Sequence, residues 1–380
     1  MDYDRLIKGG TVVDPGEGLH GTLDVAIADG MIAALEADIP ENRSRQVTDA
    51  SGKLVTPGLI DLHTHIYWGA THLGIDPDPV CARTGVTTIV DAGSSNAHSF
   101  AGFRRFIAEL AESRVYAFLH ATPYPRPGTD PIAHARSNAS ATVQVIEENR
   151  DTIVGIKLFV AGNMVGDHGL GLLKVAREIA DRVELPIMVH IGFSPPSLPE
   201  ILSLLGRGDV VTHSFNGHEN RIVDDEGHMR SEVRDARERG VILDIGHGAG
   251  SFSFDTARAM VDQGQLPDII STDLYAANVN GPVFDLPTTL SKFLALGMSL
   301  EEVISAATER PAALLPGNGE LGKLKVQGPG DLAILDLAEG EFEFVDCHRQ
   351  KLAGRRKLTG VATVCKGRLM ECDTTDADSG

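Results

Sequence analysis

Between residues 54 and 273 short apolar runs alternate with longer stretches in which apolar residues recur at helical spacing. Short apolar runs bounded by turn residues read as buried strands, and helical stretches between them make βα units around a parallel sheet. Eight strands are predicted: 54–65, 86–91, 115–119, 153–160, 186–190, 210–213, 241–245 and 269–273. Helices are predicted at 99–113, 140–149, 170–183 and 228–239. Eight βα units in about 260 residues have the size and rhythm of an α/β (β/α)8 TIM barrel. A doubly wound sheet is the alternative if the strand count is off by one.

The two ends follow another pattern. Arg5 to Lys8, Thr11 to Val13 and Leu23 to Ile27 read as short strands, and Asp29-Gly30 as the turn of a hairpin answered by Met31 to Leu35. Asp331 to Leu335 and Gly360 to Cys365 look alike at the other end. Neither end is large enough to bury a core alone, so residues 1–55 and 320–373 are expected to pair as one small β-sandwich flanking a barrel of residues 56–319. Residues 374–380, small and polar, read as a disordered tail.

Composition narrows the partners. The 380 residues are 42% hydrophobic and 23% charged, ordinary for a globular protein. A net charge of -19 argues against nucleic acid and anionic membrane as partners, and it says little about a small-molecule substrate, which is the partner expected from the candidate chemistry. No apolar run approaches the roughly 20 residues that span a bilayer. Cys81, Cys347, Cys365 and Cys372 form no CxxC pair, and Met1 to Arg5 has no signal-peptide pattern, so a reducing cytoplasm is expected. Exposed barrel helices leave room for a homo-oligomer, although no interface motif stands out.

The chemistry begins at Gly58 to His65. Leu59, Ile60 and Leu62 read as a buried strand after Pro57-Gly58, and period-two alternation points His63 and His65 the same way. Two imidazoles at a strand end can reach one cation, and zinc suits them; a hydrogen-bonded polar pair fits HxH alone equally well. The other strands add weight. His190, His213 and Asp273 close strands five, six and eight, and Lys157 interrupts the apolar run of strand four. In a barrel these ends converge, although the residues are scattered over 211 positions. Four His and one Asp can hold two divalent cations if a bridging ligand joins them. Burial lowers a lysine pKa, and reaction of the free amine with carbon dioxide would turn Lys157 into an anionic bridging carboxylate. Without the His residues, Lys157 would read as a structural ion pair or a snorkelling side chain.

Together, Pro57 to His65, Lys157, His190, His213 and Ser271-Thr272-Asp273 resemble the amidohydrolase superfamily, over nearly the whole chain. The resemblance implies that His63, His65 and Asp273 hold the more buried metal and His190 and His213 the second. It implies that carboxylated Lys157 and a hydroxide bridge two divalent ions, with zinc expected. Asp273 would then take the proton of the attacking hydroxide and pass it to the leaving group. The stretches Val210 to Gly217, Leu243 to Gly248 and Pro282 to Leu286 are similar to a dihydroorotase-like branch of deacetylases acting on N-acyl amino acids or O-acyl hydroxy acids. Two positions depart from that branch: Phe159 stands where an Arg is expected, and Tyr275 replaces a His. Loss of the Arg removes a partner for a substrate carboxylate. Lys157-Leu158-Phe159 is more like a hydantoinase, which makes a cyclic amidase of dihydroorotase or hydantoinase type the alternative. A scaffold protein with a dead site is the non-enzyme alternative, and it predicts missing ligands.

Weaker candidates surround this set. His247 could contact substrate or a tetrahedral oxyanion, or be a structural His. Asn216 and Asn278 could hydrogen-bond substrate, although loop Asn residues usually build turns. Tyr67 could line the pocket or pack beneath it. Tyr275 follows Asp273 closely enough to reach the same space.

Overall fold

A computed structural model describes residues 1–123, 128–317 and 319–371. The expected tail at 374–380 lies outside the described residues. Seven parallel strands occur in chain order across one sheet: β1 (Leu59–Thr64), β2 (Val86–Asn96), β3 (Arg114–His120), β4 (Ile153–Phe159), β5 (Ile187–His190), β6 (Val210–Thr212) and β7 (Ile242–Leu243). The sheet curls, and residues 269–274 bridge its two edges. Asp244 pairs with Ile269 on one side and Thr64 with Leu274 on the other, both parallel. Backbone bonds from Ile245 N to Ile269 O (3.1 Å) and from Asp273 N to His63 O (2.7 Å) continue those bridges.

The expected strand 54–65 is two strands. Leu54–Pro57 lies in a six-stranded sheet, between Leu332–Val345 and Thr11–Asp14, while β1 begins after Gly58. A Cβ on Gly58 would collide with the Thr87 side chain of β2, so the chain can switch sheets here only without one. The expected seventh strand contracts to two residues; Asp244 N still donates to Val211 O of β6 (3.0 Å), and from Ile245 onward the backbone bonds to segment 269–274.

The six-stranded sheet joins both ends of the chain, in the order Arg368–Leu369, Lys351–Cys365, Leu332–Val345, Leu54–Pro57, Thr11–Asp14, Leu19–Thr22. A second sheet of four strands comes from the N-terminal end alone: Met31–Glu36, Asp24–Ala28, Tyr3–Lys8, Ser44–Asp49. Ile7, Val25 and Ile32 of the smaller sheet share an apolar cluster with Val12, Leu332 and Val364 of the larger one. Asp29 and Gly30 both adopt positive φ (51° and 78°), the geometry of the hairpin turn that their identity predicts. The long hairpin 332–365 exceeds its expected length and reaches the helix Leu286–Leu296, where Leu358 N donates to Ser291 Oγ (2.8 Å). Its charged stretch from Glu339 to Glu343 hides the strand pattern.

Of the expected helices, 170–183 and 228–239 correspond to Gly169–Val183 and Ser231–Glu238. The segment expected at 140–149 starts earlier, at Pro131, where Asp130 caps the N-terminus through Ile132 N and Ala133 N. The segment at 99–113 is one α-turn, Phe100–Phe103, continued by a π-turn over Arg104–Ala108. Among the described residues no helix is long and apolar enough to cross a membrane.

Candidate metal centre

The strand ends bring the candidate ligands into one region. His63 closes β1 and His65 follows it, Lys157 projects from β4, His190 ends β5, and His213 and Asp273 lie just past β6 and within segment 269–274. One ligand atom each from His63, His213 and Asp273 lies within 4.8 Å of the others. His65 Nε2 is 3.1 Å from Asp273 Oδ1, and Lys157 Nζ is 3.0 Å from His63 Nε2. The His190 ring meets the His213 ring edge-on, with centroids 4.1 Å apart.

The rings of His63, His65 and His213 are held from behind, which determines which nitrogen faces the centre. His63 Nδ1 lies 2.8 Å from Thr212 Oγ1, and that hydroxyl donates to Asp244 Oδ2 (2.6 Å). His213 Nδ1 donates to the Gly246 carbonyl (2.6 Å), and His65 Nδ1 lies 2.9 Å from Ser94 Oγ. Engaged Nδ1 atoms leave the Nε2 lone pairs for a ligand, the arrangement by which outer partners orient metal-binding imidazoles. Asp61 anchors segment 269–274, accepting from Thr272 N (3.0 Å) and Thr272 Oγ1 (2.5 Å).

Backbone conformation carries a cost here. His213 and Asp273 both adopt positive φ, 60° and 49°. Such conformations cost on the order of 1–3 kcal/mol each and cluster where a site needs them. Gly246 and Gly248, also at positive φ, let the loop pass close by. A Cβ would collide with Thr212 Oγ1 at the first and with Asp273 Oδ2 at the second.

Burial works against charge throughout the region. It holds His63, His190 and His213 well below the ordinary imidazole value, and the positive charge of Lys157 adds to this. It lowers Lys157 to about 8 and raises Asp61 to about 7 and Asp244 to about 6. Neutral imidazoles with free lone pairs, a carboxylate and an amine with a lowered pKa are the donors a divalent cation requires. The residues therefore fit a metal.

The weaker candidates lie differently. His247 is fully buried: its Nε2 receives Lys292 Nζ (2.7 Å), its Nδ1 lies 2.8 Å from Gly248 O, and its ring packs on Phe252. Asn216 Nδ2 donates to His213 O and Asn278 Nδ2 to Asp273 O, both at 2.8 Å, so each braces the backbone of a ligand residue. Tyr67 turns to Ser99 O and the Phe103 ring. Tyr275 stands edge-on to His65, with centroids 6.2 Å apart. Sequence reasoning missed Asp61, Thr212, Asp244 and Lys292. The sequence offers a signal for Asp61 alone, a carboxylate inside the apolar run Leu59 to Leu62.

Comparison with known proteins decides the family, because the amidohydrolase family model matches residues 54–370, most of the chain and all of this centre. The chain belongs to the amidohydrolase family. A deacetylase from Agrobacterium fabrum is 38% identical over 333 residues, covering 86% of this chain and 81% of the relative. A deacetylase from Enterococcus faecalis is 33% identical over 98% of this chain and its own full length. Among solved structures, an adenine deaminase superposes with a TM-score of 0.87 at 32% identity over 97% of this chain and 99% of that one. A dihydroorotase gives 0.86 at 33% identity over 96% and 98%. This amidohydrolase is thus a hydrolytic enzyme of a metal-dependent family, which excludes the dead scaffold.

Proposed function

We propose that this amidohydrolase holds two divalent ions, zinc by preference, and cleaves the amide or ester of a small N-acyl amino acid or O-acyl hydroxy acid. The observation that carries the reading is the convergence of His63, His65, Lys157, His190, His213 and Asp273 from five separate strand ends. In this reading the curled sheet and segment 269–274 form one (β/α)8 barrel of residues 56–319, and the two terminal sheets form a β-sandwich beside it. His63, His65 and Asp273 would hold one ion and His190 and His213 the other, and Lys157, once carboxylated by carbon dioxide, would supply a carboxylate shared by both.

When bound, the ions supply a water that ionises near neutral pH and a Lewis acid for the substrate carbonyl. The remaining work belongs to the chain. Asp273 Oδ1, 3.4 Å from His63 Nε2 and 3.1 Å from His65 Nε2, would accept the attacking water's proton and return it to the departing nitrogen or oxygen. Thr212, Ser94 and the Gly246 carbonyl keep the imidazoles in register. The deacetylase reading draws on the two deacetylase relatives. A cyclic amidase is the second reading, favoured by Phe159 beside His190 in place of a cation for a substrate carboxylate.

Elemental analysis of the purified protein is expected to find close to two divalent ions per chain. Lys157→Ala should lose metal and hydrolysis together. A fully loaded, active Lys157→Ala enzyme would remove the bridging role, and one ion per chain would remove the two-metal reading. A panel of N-acyl amino acids, O-acyl hydroxy acids, cyclic ureides and adenine then selects the substrate class.

A further inference from the structure

Beside the centre, at the ends of β3 and β4, lies a cavity of about 270 Å³. Leu158, Phe159, Met164, Val165 and Leu172 give it an apolar wall, and Pro123 and Pro131 close part of its rim. Its polar contributors among the described residues are His120 and Thr122, with His120 Nδ1 2.6 Å from the Thr122 carbonyl oxygen. Among the described residues lining it there is no Lys, Arg, Asp or Glu. Phe159 joins the cavity to the centre: its ring meets His190 edge-on with centroids 5.2 Å apart, and His120 at the same separation on the other side. The cavity therefore begins one ring away from a candidate metal ligand.

We infer that this cavity is a specificity pocket for an uncharged aromatic or branched aliphatic substituent of the substrate. The inference rests on the hydrolase reading above and adds the substrate class to it. An apolar cavity of roughly 150 Å³ suffices for a benzene ring, so this one admits a phenyl or isobutyl group with its linking carbon. A carboxylate placed there would lose water and find no cation among the described residues that line it. An apolar group instead gains from leaving water, and that gain is available to the transition state as well as to the bound substrate.

The test uses the metal-loaded enzyme and matched acetyl amides and esters whose side chain is methyl, isobutyl, benzyl or carboxymethyl. A second arm moves the group to the acyl side, phenylacetyl against acetyl, and shows which half of the substrate enters the cavity. The benzyl or phenylacetyl member should exceed its small counterpart in kcat/KM by about tenfold or more. Val165→Trp fills the cavity, and the ratio should fall toward one. Equal kcat/KM values, a preference for carboxymethyl, or an undiminished ratio in Val165→Trp would overturn the inference. If nothing turns over, the hydrolase reading fails separately, and calorimetry with N-benzylacetamide and N-methylacetamide decides the pocket. Benzyl binding that is tighter than methyl in wild type and equal to it in Val165→Trp supports the pocket; equal binding in wild type overturns it.

Discussion

On β5, Met188 belongs to an apolar cluster and His190, two residues later, to the polar centre. Val210 and Thr212 repeat the step on β6, and Ile269, Ser271 and Asp273 take it twice along segment 269–274. Residues two apart share a strand face. The same inward-facing rows therefore supply a hydrophobic plug near the strand starts, closed by Ala312, Leu315 and Leu321, and the ligand cluster at the strand ends. The contact between the halves is direct, since Met188 Sδ lies 3.6 Å from Lys157 Nζ. The plug excludes water from beneath the centre, and that exclusion drives the pKa shifts of Lys157 and the imidazoles. The two halves differ in what a substitution should disturb: stability in the plug, metal affinity in the centre.

Phe118 offers the strongest way to break that division. Its ring sits where a Cβ on Gly155 would otherwise project, and it is fully buried. Phe118→Ala should cost about 3–5 kcal/mol of unfolding free energy. The folded fraction should keep its metal content. Denaturant titration and elemental analysis on the same sample check both halves of this expectation, and loss of metal without loss of stability would show that the two regions are not separable.

Asp244 is the converse case. It is buried beneath the centre and reaches His63 through the Thr212 hydroxyl, while its other oxygen accepts from Ser271 Oγ (2.6 Å). Asp244→Asn keeps the shape but alters the hydrogen bonding that orients His63 Nδ1. Metal affinity, measured by competition with a chelator, is expected to fall about 10–100-fold, as for other outer partners of ligating imidazoles. An unchanged affinity would mean that Thr212 alone sets the ring.

The legible part of this division is the part that carries rare chemistry. His63, His65, His190, His213, Asp273 and Lys157 stand out because each interrupts or ends an apolar run, and the alternation of those runs with helices exposes the parallel sheet. Thr212 and Asp244 were illegible because Thr and Asp at strand ends ordinarily read as turn or cap residues. Only the fold shows that they stack behind His63. The switch of sheets at Gly58 was hidden for a related reason: Leu54-Val55 and Leu59 to Leu62 are alike in composition, and the chain changes partner across Pro57-Gly58 without a change of pattern. Conversely Asp130-Pro131, an N-cap followed by the residue suited to the first helical turn, marked the true start of its helix and was passed over for the apolar period beyond it.

Lys292 belongs to neither half and sharpens the comparison most finely. It is buried on helix Leu286–Leu296, and its Nζ lies 2.7 Å from both His247 Nε2 and Pro282 O. Burial lowers its pKa from 10.5 to about 7. The unfolded chain keeps the ordinary value, so between about pH 7 and pH 10.5 it binds more protons than the folded protein. Stability therefore rises with pH across that window, and the penalty is complete below about 7. Lys292→Met removes this group from the balance, and the slope of unfolding free energy between pH 7 and 10 should become shallower by up to about 1.4 kcal/mol per pH unit. Loss of the bond to His247 lowers stability by about 1 kcal/mol at every pH, so the slope and not the offset is the readout. Chemical denaturation at several pH values measures it, and parallel curves for wild type and variant would show that Lys292 stays charged in the folded protein.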